Sequence, residues 1–165
     1  MAIETRTPAA GFDYRFVDRG YDKRYTGSEQ EQEVLREEGL DKGQLTLRDE
    51  DVRFWRAVYD EKINRADEKF KHFLEEFGKL GLTGKTLFVL TSDHGTEIYE
   101  HRRFDHGFTL YDEQIRVPLF FRLPGPAAGK VITDRVSSID VMPTILDLMD
   151  VQIPEQVKRQ LRGLS

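Results

Sequence analysis

The stretch Thr86-Leu-Phe-Val-Leu-Thr-Ser-Asp93-His94-Gly95, followed by His101 and by Asp105-His106-Gly107, decides the fold. Leu87 to Thr91 are apolar or β-branched and uncharged. A run this short, bounded by turn residues, predicts a strand buried on both faces. Its C-terminal end delivers a carboxylate and an imidazole, which is where open α/β sheets present functional groups. Gly95 permits a tight turn there, with positive φ where needed. Successive strand side chains point to opposite faces, so Asp93 and His94 share one ligand only where the strand has begun to turn. A hard carboxylate oxygen and a borderline imidazole nitrogen suit a divalent cation. Two groups do not fill a coordination sphere, so further ligands come from elsewhere. The competing, purely structural reading has Asp93 capping a helix and His94 making an ordinary hydrogen bond.

Upstream, Arg48 to Leu80 predicts one long helix. Val52, Trp55, Tyr59, Ile63, Ala66, Phe70, Phe73 and Phe77 recur at steps of three and four and form one apolar stripe. Thr46 or Asp49 supplies the cap, and Gly78 or Gly81 the end. The Trp55 stripe reads as core and not as a cofactor box. Residues 1 to about 46 show no sustained period. Glu29–Leu40 predicts a short helix stopped at Gly39, and Phe12, Tyr14, Phe16, Tyr21 and Tyr25 read as packing residues, with carbohydrate stacking as the minor alternative.

Downstream, Thr96–Arg103 is polar and reads as an exposed active-site loop. Phe108–Glu113 reads as a turn. Ile115–Arg122 predicts a second buried strand, with Pro118 near its start or on an edge. Lys130–Val136 predicts a further short strand or extended arm. Ser138–Met149 predicts an amphipathic helix with Pro143 in its first turn and Ile139, Met142, Ile145, Leu146 and Met149 on its buried side. A helix feeding a strand through a few residues fits α/β layers.

Composition narrows the classes. A chain of 165 residues is long enough for one domain with a core. The net charge of −5 favours neither nucleic acid nor an anionic membrane as partner. The absence of cysteine removes disulfides, thiolate metal sites and a cysteine nucleophile. No run reaches the roughly 18 apolar residues of a membrane span, and residues 1–30 carry no signal-peptide pattern.

Taken in order, Ser92-Asp-His-Gly95, Glu100-His101, His106-Gly-Phe-Thr-Leu-Tyr-Asp-Glu113, Ile115-Arg-Val-Pro-Leu119, Pro124-Gly125 and Ser138-Ile-Asp140 with Pro143-Thr-Ile-Leu146 resemble the sulfatases of the alkaline-phosphatase superfamily. The helix bearing Tyr59-Asp-Glu-Lys-Ile63 and Asp67 is similar to the one preceding the same motif there. The resemblance covers about residues 46–151. It implies an α/β fold, here a partial alkaline-phosphatase-like sandwich: a long helix, buried strands of a central sheet, then an amphipathic helix. It implies hydrolysis of sulfate esters, or of phosphate or phosphonate esters as in relatives. It implies a divalent cation, calcium first, with magnesium, manganese or zinc as alternatives. Asp93 and His94 inherit the metal-ligand role. His106 inherits a catalytic and substrate role toward the anionic group, and His101 a substrate role, although Arg102 follows it where the family often has Gly.

The family's formylglycine nucleophile arises from Cys or Ser in a Cys/Ser-x-Pro-x-Arg motif, and no residue here stands in that pattern. Asp49-Glu50-Asp51 does not match the family's paired metal-binding aspartates, because it follows no apolar strand. The expectation is therefore a single partial catalytic domain over 1–165: an irregular segment to 45, the motif-bearing part 46–151, and a peripheral tail 152–165. It lacks the earlier half of the domain and is inactive alone. Three functions follow: a sulfatase, a phosphodiester or phosphonate ester hydrolase, or a non-catalytic binding module retaining part of the fold. The partner is an anionic sulfate or phosphate ester, and oligomeric state stays open.

Overall fold

A computed structural model describes residues 13–126 and 129–155. The chain divides into two compact units, Met1–Ala127 and Ala128–Ser165.

The first unit begins with helix α1, Glu29–Lys42. The Ser28 hydroxyl accepts from the Glu31 amide at 3.2 Å, and the Glu31 carboxylate accepts from the amides of Thr26, Gly27 and Ser28. This reciprocal cap satisfies donors that a helix start leaves orphaned. The helix runs past Gly39 and stops at Gly43, which adopts φ 70°. Gly39 is buried inside it, where α1 crosses Leu45 and Phe104.

Helix α2, Asp49–Lys79, has 31 residues, about 46 Å at 1.5 Å per residue. Neither Thr46 nor Asp49 caps it. The Arg48 amide donates to the Asp51 carboxylate at 3.3 Å, so the third helical residue closes the first turn. Its proximal half carries the core: Phe54, Trp55 and Val58 pack with Leu35, Leu45, Ile98 and Phe104. Tyr14, Tyr21 and Tyr25 lie against this cluster, and Tyr21 stacks on Phe54 with centroids 4.5 Å apart. These three aromatics of the first segment are packing residues, as expected, whereas Phe16 is exposed; Phe12 lies outside the described residues.

The single continuous stripe expected along α2 does not hold. Tyr59 and Ile63 are 39% and 52% exposed, while Asp51 and Glu61 are buried. The core lies beside Phe54, Trp55 and Val58, and that choice rotates Tyr59 and Ile63 away from it. In the distal half, Phe73 and Phe77 pack edge-on against Phe88, and Phe73 stays half-exposed.

Strand β1, Phe88–Thr91, pairs antiparallel with the strand Leu119–Arg122, in register Phe88↔Arg122 to Thr91↔Leu119. Between them lie β2, Glu97–Ile98, and β3, Phe104–Asp105, paired as Glu97↔Asp105 and Ile98↔Phe104. The helical turn α3, Asp112–Ile115, follows, so Leu119–Arg122 is β4. Pro118 directly precedes β4, where its missing N–H costs nothing. Burial of β1 on both faces is not found: Leu90 and Thr91 are exposed, because among the described residues only β4 pairs with β1. The exposed loop expected over Thr96–Arg103 is also corrected. It is a hairpin whose Glu97, Ile98 and Phe104 are buried, with Tyr99 and Arg102 in the left-handed region at φ 76° and 58°.

In the second unit a 3-10 turn, Ser138–Asp140, leads into helix α4, Val141–Leu148. The Ser137 amide donates to the Asp140 carboxylate at 2.9 Å. Pro143 is buried, and Ile145 and Leu146 are half-buried. Ile139, Met142 and Met149 are exposed, contrary to the expected buried side. Residues 130–136 form no strand. No helix among the described residues is long and apolar enough to cross a membrane.

Candidate functional site

The residues after β1 turn at once, as sharing a ligand requires. Gly95 makes this possible by close approach and not by positive φ. Its amide donates to the Gln114 carbonyl at 2.7 Å, and a Cβ there would sit 2.0 Å from the Glu113 carbonyl oxygen. Only glycine lets the backbone of the Asp-His-Gly turn press against α3.

Asp93 points to solvent with 87% of its side chain exposed. One of its oxygens accepts from the His94 amide at 3.1 Å, a local bond of the capping kind. It caps no helix. His94 Nδ1 lies 2.8 Å from the Gly95 carbonyl oxygen. A carbonyl only accepts, so Nδ1 carries a proton, and in the neutral ring Nε2 keeps its lone pair. That Nε2 is 3.7 Å from Asp93 Oδ1.

His106 joins this pair. Its ring stacks on His94 with centroids 3.6 Å apart and planes at 21°. Its Nδ1 is 2.6 Å from Asp105 Oδ1. Asp105 adopts φ 77°, a conformation that short polar side chains tolerate better than most. Arg36 Nε lies 3.7 Å from its other oxygen.

His101 sits in a separate nest. Its Nδ1 is 2.9 Å from Glu97 Oε1, and its ring stacks on Tyr111 at 3.6 Å and 12°. Glu97 is fully buried, and its Oε2 accepts from Thr109 at 3.0 Å and Gln114 Nε2 at 2.6 Å. Gln114 in turn accepts the Gly107 amide at 3.1 Å. A Glu97–Gln114 pair thus ties together the backbones behind Asp93-His94 and His106, and the His101 ring. The sequence reading missed both residues. Glu97 stands among Thr96, Tyr99, Glu100 and Arg102, and nothing in that polar run marks it as buried. The available signal was Ile98 and Phe104 flanking a short turn, a hairpin pattern.

For a cation, the fit is partial. Asp93 and the bare Nε2 of His94 are adjacent, accessible and of suitable donor type, so they fit as two ligands of a divalent ion. Among the described residues no three His, Asp or Glu side chains converge as a metal-holding group. The rest of a shell has to come from other residues.

The sulfatase family model matches residues 9–151. Arylsulfatase K of Xenopus laevis is 33% identical over 109 residues, covering 66% of this chain and 20% of that protein. An arylsulfatase of Clostridium perfringens is 33% identical over 114 residues, covering 67% of this chain and 23% of that protein. The chain therefore spans about a fifth to a quarter of the length of these relatives. Among solved structures, a phosphonate monoester hydrolase from Silicibacter pomeroyi superposes with TM-score 0.62 at 34% identity, over 72% of this chain and 23% of that one. A protein solved with its substrate, D-glucosamine-2-N,6-O-disulfate, gives TM-score 0.59 at 29% identity, over 72% and 24%. The mixed helix-and-ribbon architecture is thus part of an alkaline-phosphatase-like fold. The family model takes in the helix, the hairpin and the turn that carries Asp93 and His94, and the chain belongs to the sulfatase family.

Proposed function

We propose that this chain carries the metal-edge and substrate-facing part of an active site that hydrolyses sulfate esters. The observation that carries the reading is the exposed cluster in which His106 stacks on His94 beside Asp93. Sulfatases generally use a divalent metal ion; Asp93 and His94 would hold it, with calcium the first choice. When bound, such an ion polarises ester oxygens. His106 is kept in place by Asp105 through Nδ1. As an imidazolium it offers Nε2–H to an ester oxygen or to the leaving oxygen. His101 faces the same substrate from its own nest. The chain contains no cysteine and no serine in the nucleophile motif, so the nucleophile must come from other residues and the chain alone should not turn over.

A second reading, phosphonate monoester hydrolysis, is supported by the likeness to the Silicibacter pomeroyi enzyme. The test has two arms. Manganese titrated into the chain should broaden the nuclear magnetic resonances of His94 first, and Asp93→Ala should abolish that selectivity. Unselective broadening in the wild type would remove the metal assignment. The chain should also show no turnover of an aryl sulfate or an aryl phosphonate monoester with calcium, magnesium or manganese added. Turnover that survives repurification and is lost in Asp93→Ala would demand a nucleophile in this chain.

A further inference from the structure

Glu97 is a carboxylate with 0% exposure whose neighbours are all donors. Thr109 and Gln114 Nε2 occupy Oε2, at 3.0 and 2.6 Å, and His101 Nδ1 sits 2.9 Å from Oε1. An ionised carboxylate only accepts, so His101 Nδ1 must carry a proton. Glu113 Oε2, 3.9 Å from the same nitrogen, places a second negative charge there. The Tyr111 ring, parallel at 3.6 Å, packs flat against the imidazole and opposes its turning over. Among the described residues Nε2 bonds to nothing, and the His101 side chain is 35% exposed. A neutral imidazole held this way shows the outside a lone pair, not an N–H.

We propose that Glu97 is a positioning residue that sets the tautomer of His101, so that His101 takes a hydroxyl of the substrate through a bare Nε2 and not an ester oxygen. The substrate half of this inference rests on the hydrolase reading above; the tautomer half does not. It assigns specificity: a sulfate ester bearing hydroxyl groups beside the ester, as a sugar sulfate does, would be held at His101, and a plain aryl sulfate would not.

Glu97→Gln tests this at nearly constant shape. Gln114 cannot reverse its amide without losing the Gly107 bond at 3.1 Å. The new amide oxygen therefore stays on the Thr109 and Gln114 donors, and its NH2 turns to His101 Nδ1. Nδ1 must then accept, and the proton moves to Nε2. The outward face of His101 changes from acceptor to donor. Nitrogen-15 spectra of the labelled chain at about pH 8.5, above the ordinary imidazole range, read this directly. In the wild type His101 Nε2 should resonate as an unprotonated nitrogen and Nδ1 as a protonated one. In Glu97→Gln the two should exchange, with His94 unchanged. A protonated Nε2 in the wild type, or no exchange in a folded variant, overturns the proposal. If the variant does not fold, the wild-type spectrum decides. Glucose 6-sulfate added to the wild type should shift His101 Nε2 where 4-nitrophenyl sulfate does not, and the shift should vanish in Glu97→Gln. Equal response to both esters, or to neither, overturns the hydroxyl assignment. None of these readouts requires hydrolysis, so their failure leaves the hydrolase reading standing, and loss of that reading leaves the tautomer result intact.

Discussion

Single side chains divide here into those gathered at the candidate site and those that hold the scaffold. In a catalytically complete protein containing this segment, His106→Ala should lower turnover about 10²-fold while leaving bound metal unchanged by elemental analysis. Loss of metal would move His106 into the coordination shell. Asp51 is the scaffold counterpart. It is fully buried and accepts from Arg48, Arg24 and Tyr21 at 2.8 to 2.9 Å. Burial pushes its pKa up, but the bonds from Arg48 and Tyr21 outweigh that and hold it down at about 2. Burial, and then the same bond, push the Tyr21 hydroxyl above its ordinary range. Because the folded value of Asp51 lies below the ordinary 3.9, its contribution is fully present above about pH 4 and is lost as pH falls toward 2, on the order of 2 to 3 kcal/mol. Thermal melts across that window should show this fall in the wild type. Asp51→Asn should lack that part of it and should start lower at pH 7 by about 1.5–3 kcal/mol, the usual worth of hydrogen bonds to a charged group, because the Arg48 and Arg24 side chains it leaves are 40% and 47% exposed and stay solvated.

Helix α2 was the most legible element, because a 3.6-residue period sustained over about seven turns leaves little else for a chain to be. Its existence and ends followed from Asp49–Lys79, but not which side chains would be covered. Burial of Phe54 rather than Tyr59 is set by what α1 and the β2–β3 hairpin press against, and no local pattern records that. Gly39 shows the same limit: glycine near a helix end reads as a stop, yet here it sits inside α1. A Cβ there would meet Leu45 Cγ at 3.6 Å, ordinary contact. Gly39→Ala should therefore raise stability by about 0.5–1 kcal/mol, the helix preference of alanine over glycine, measured by denaturant unfolding. In the candidate site, Asp93-His94 and Asp105-His106 stand out because each is a pair of neighbours in the sequence. Glu97 and Gln114 do not, because their role depends on burial and on partners up to 17 residues away.

Among the described residues of the first unit, the β1–β4 ribbon stands with two strands paired. Such a ribbon is marginal in water, and its edges offer unpaired N–H and C=O groups to other chains. Leu90 and Phe120 expose 45% and 61% of their surface on it. The chain should associate with rising concentration in sedimentation experiments, and Leu90→Lys should weaken that association by placing a charge on the strand. The buried aromatic cluster has an optical consequence. Trp55 is the only tryptophan in the chain, 2% exposed, ringed by Phe54, Tyr25 and Phe104. Its emission should be blue-shifted and should report the proximal core alone. Far-ultraviolet circular dichroism is weighted instead by all of α2, including the distal turns around half-exposed Phe73. As denaturant rises, those turns should fray first. The dichroic transition should begin while the tryptophan still emits as folded, and the two curves should not superimpose as a two-state transition requires.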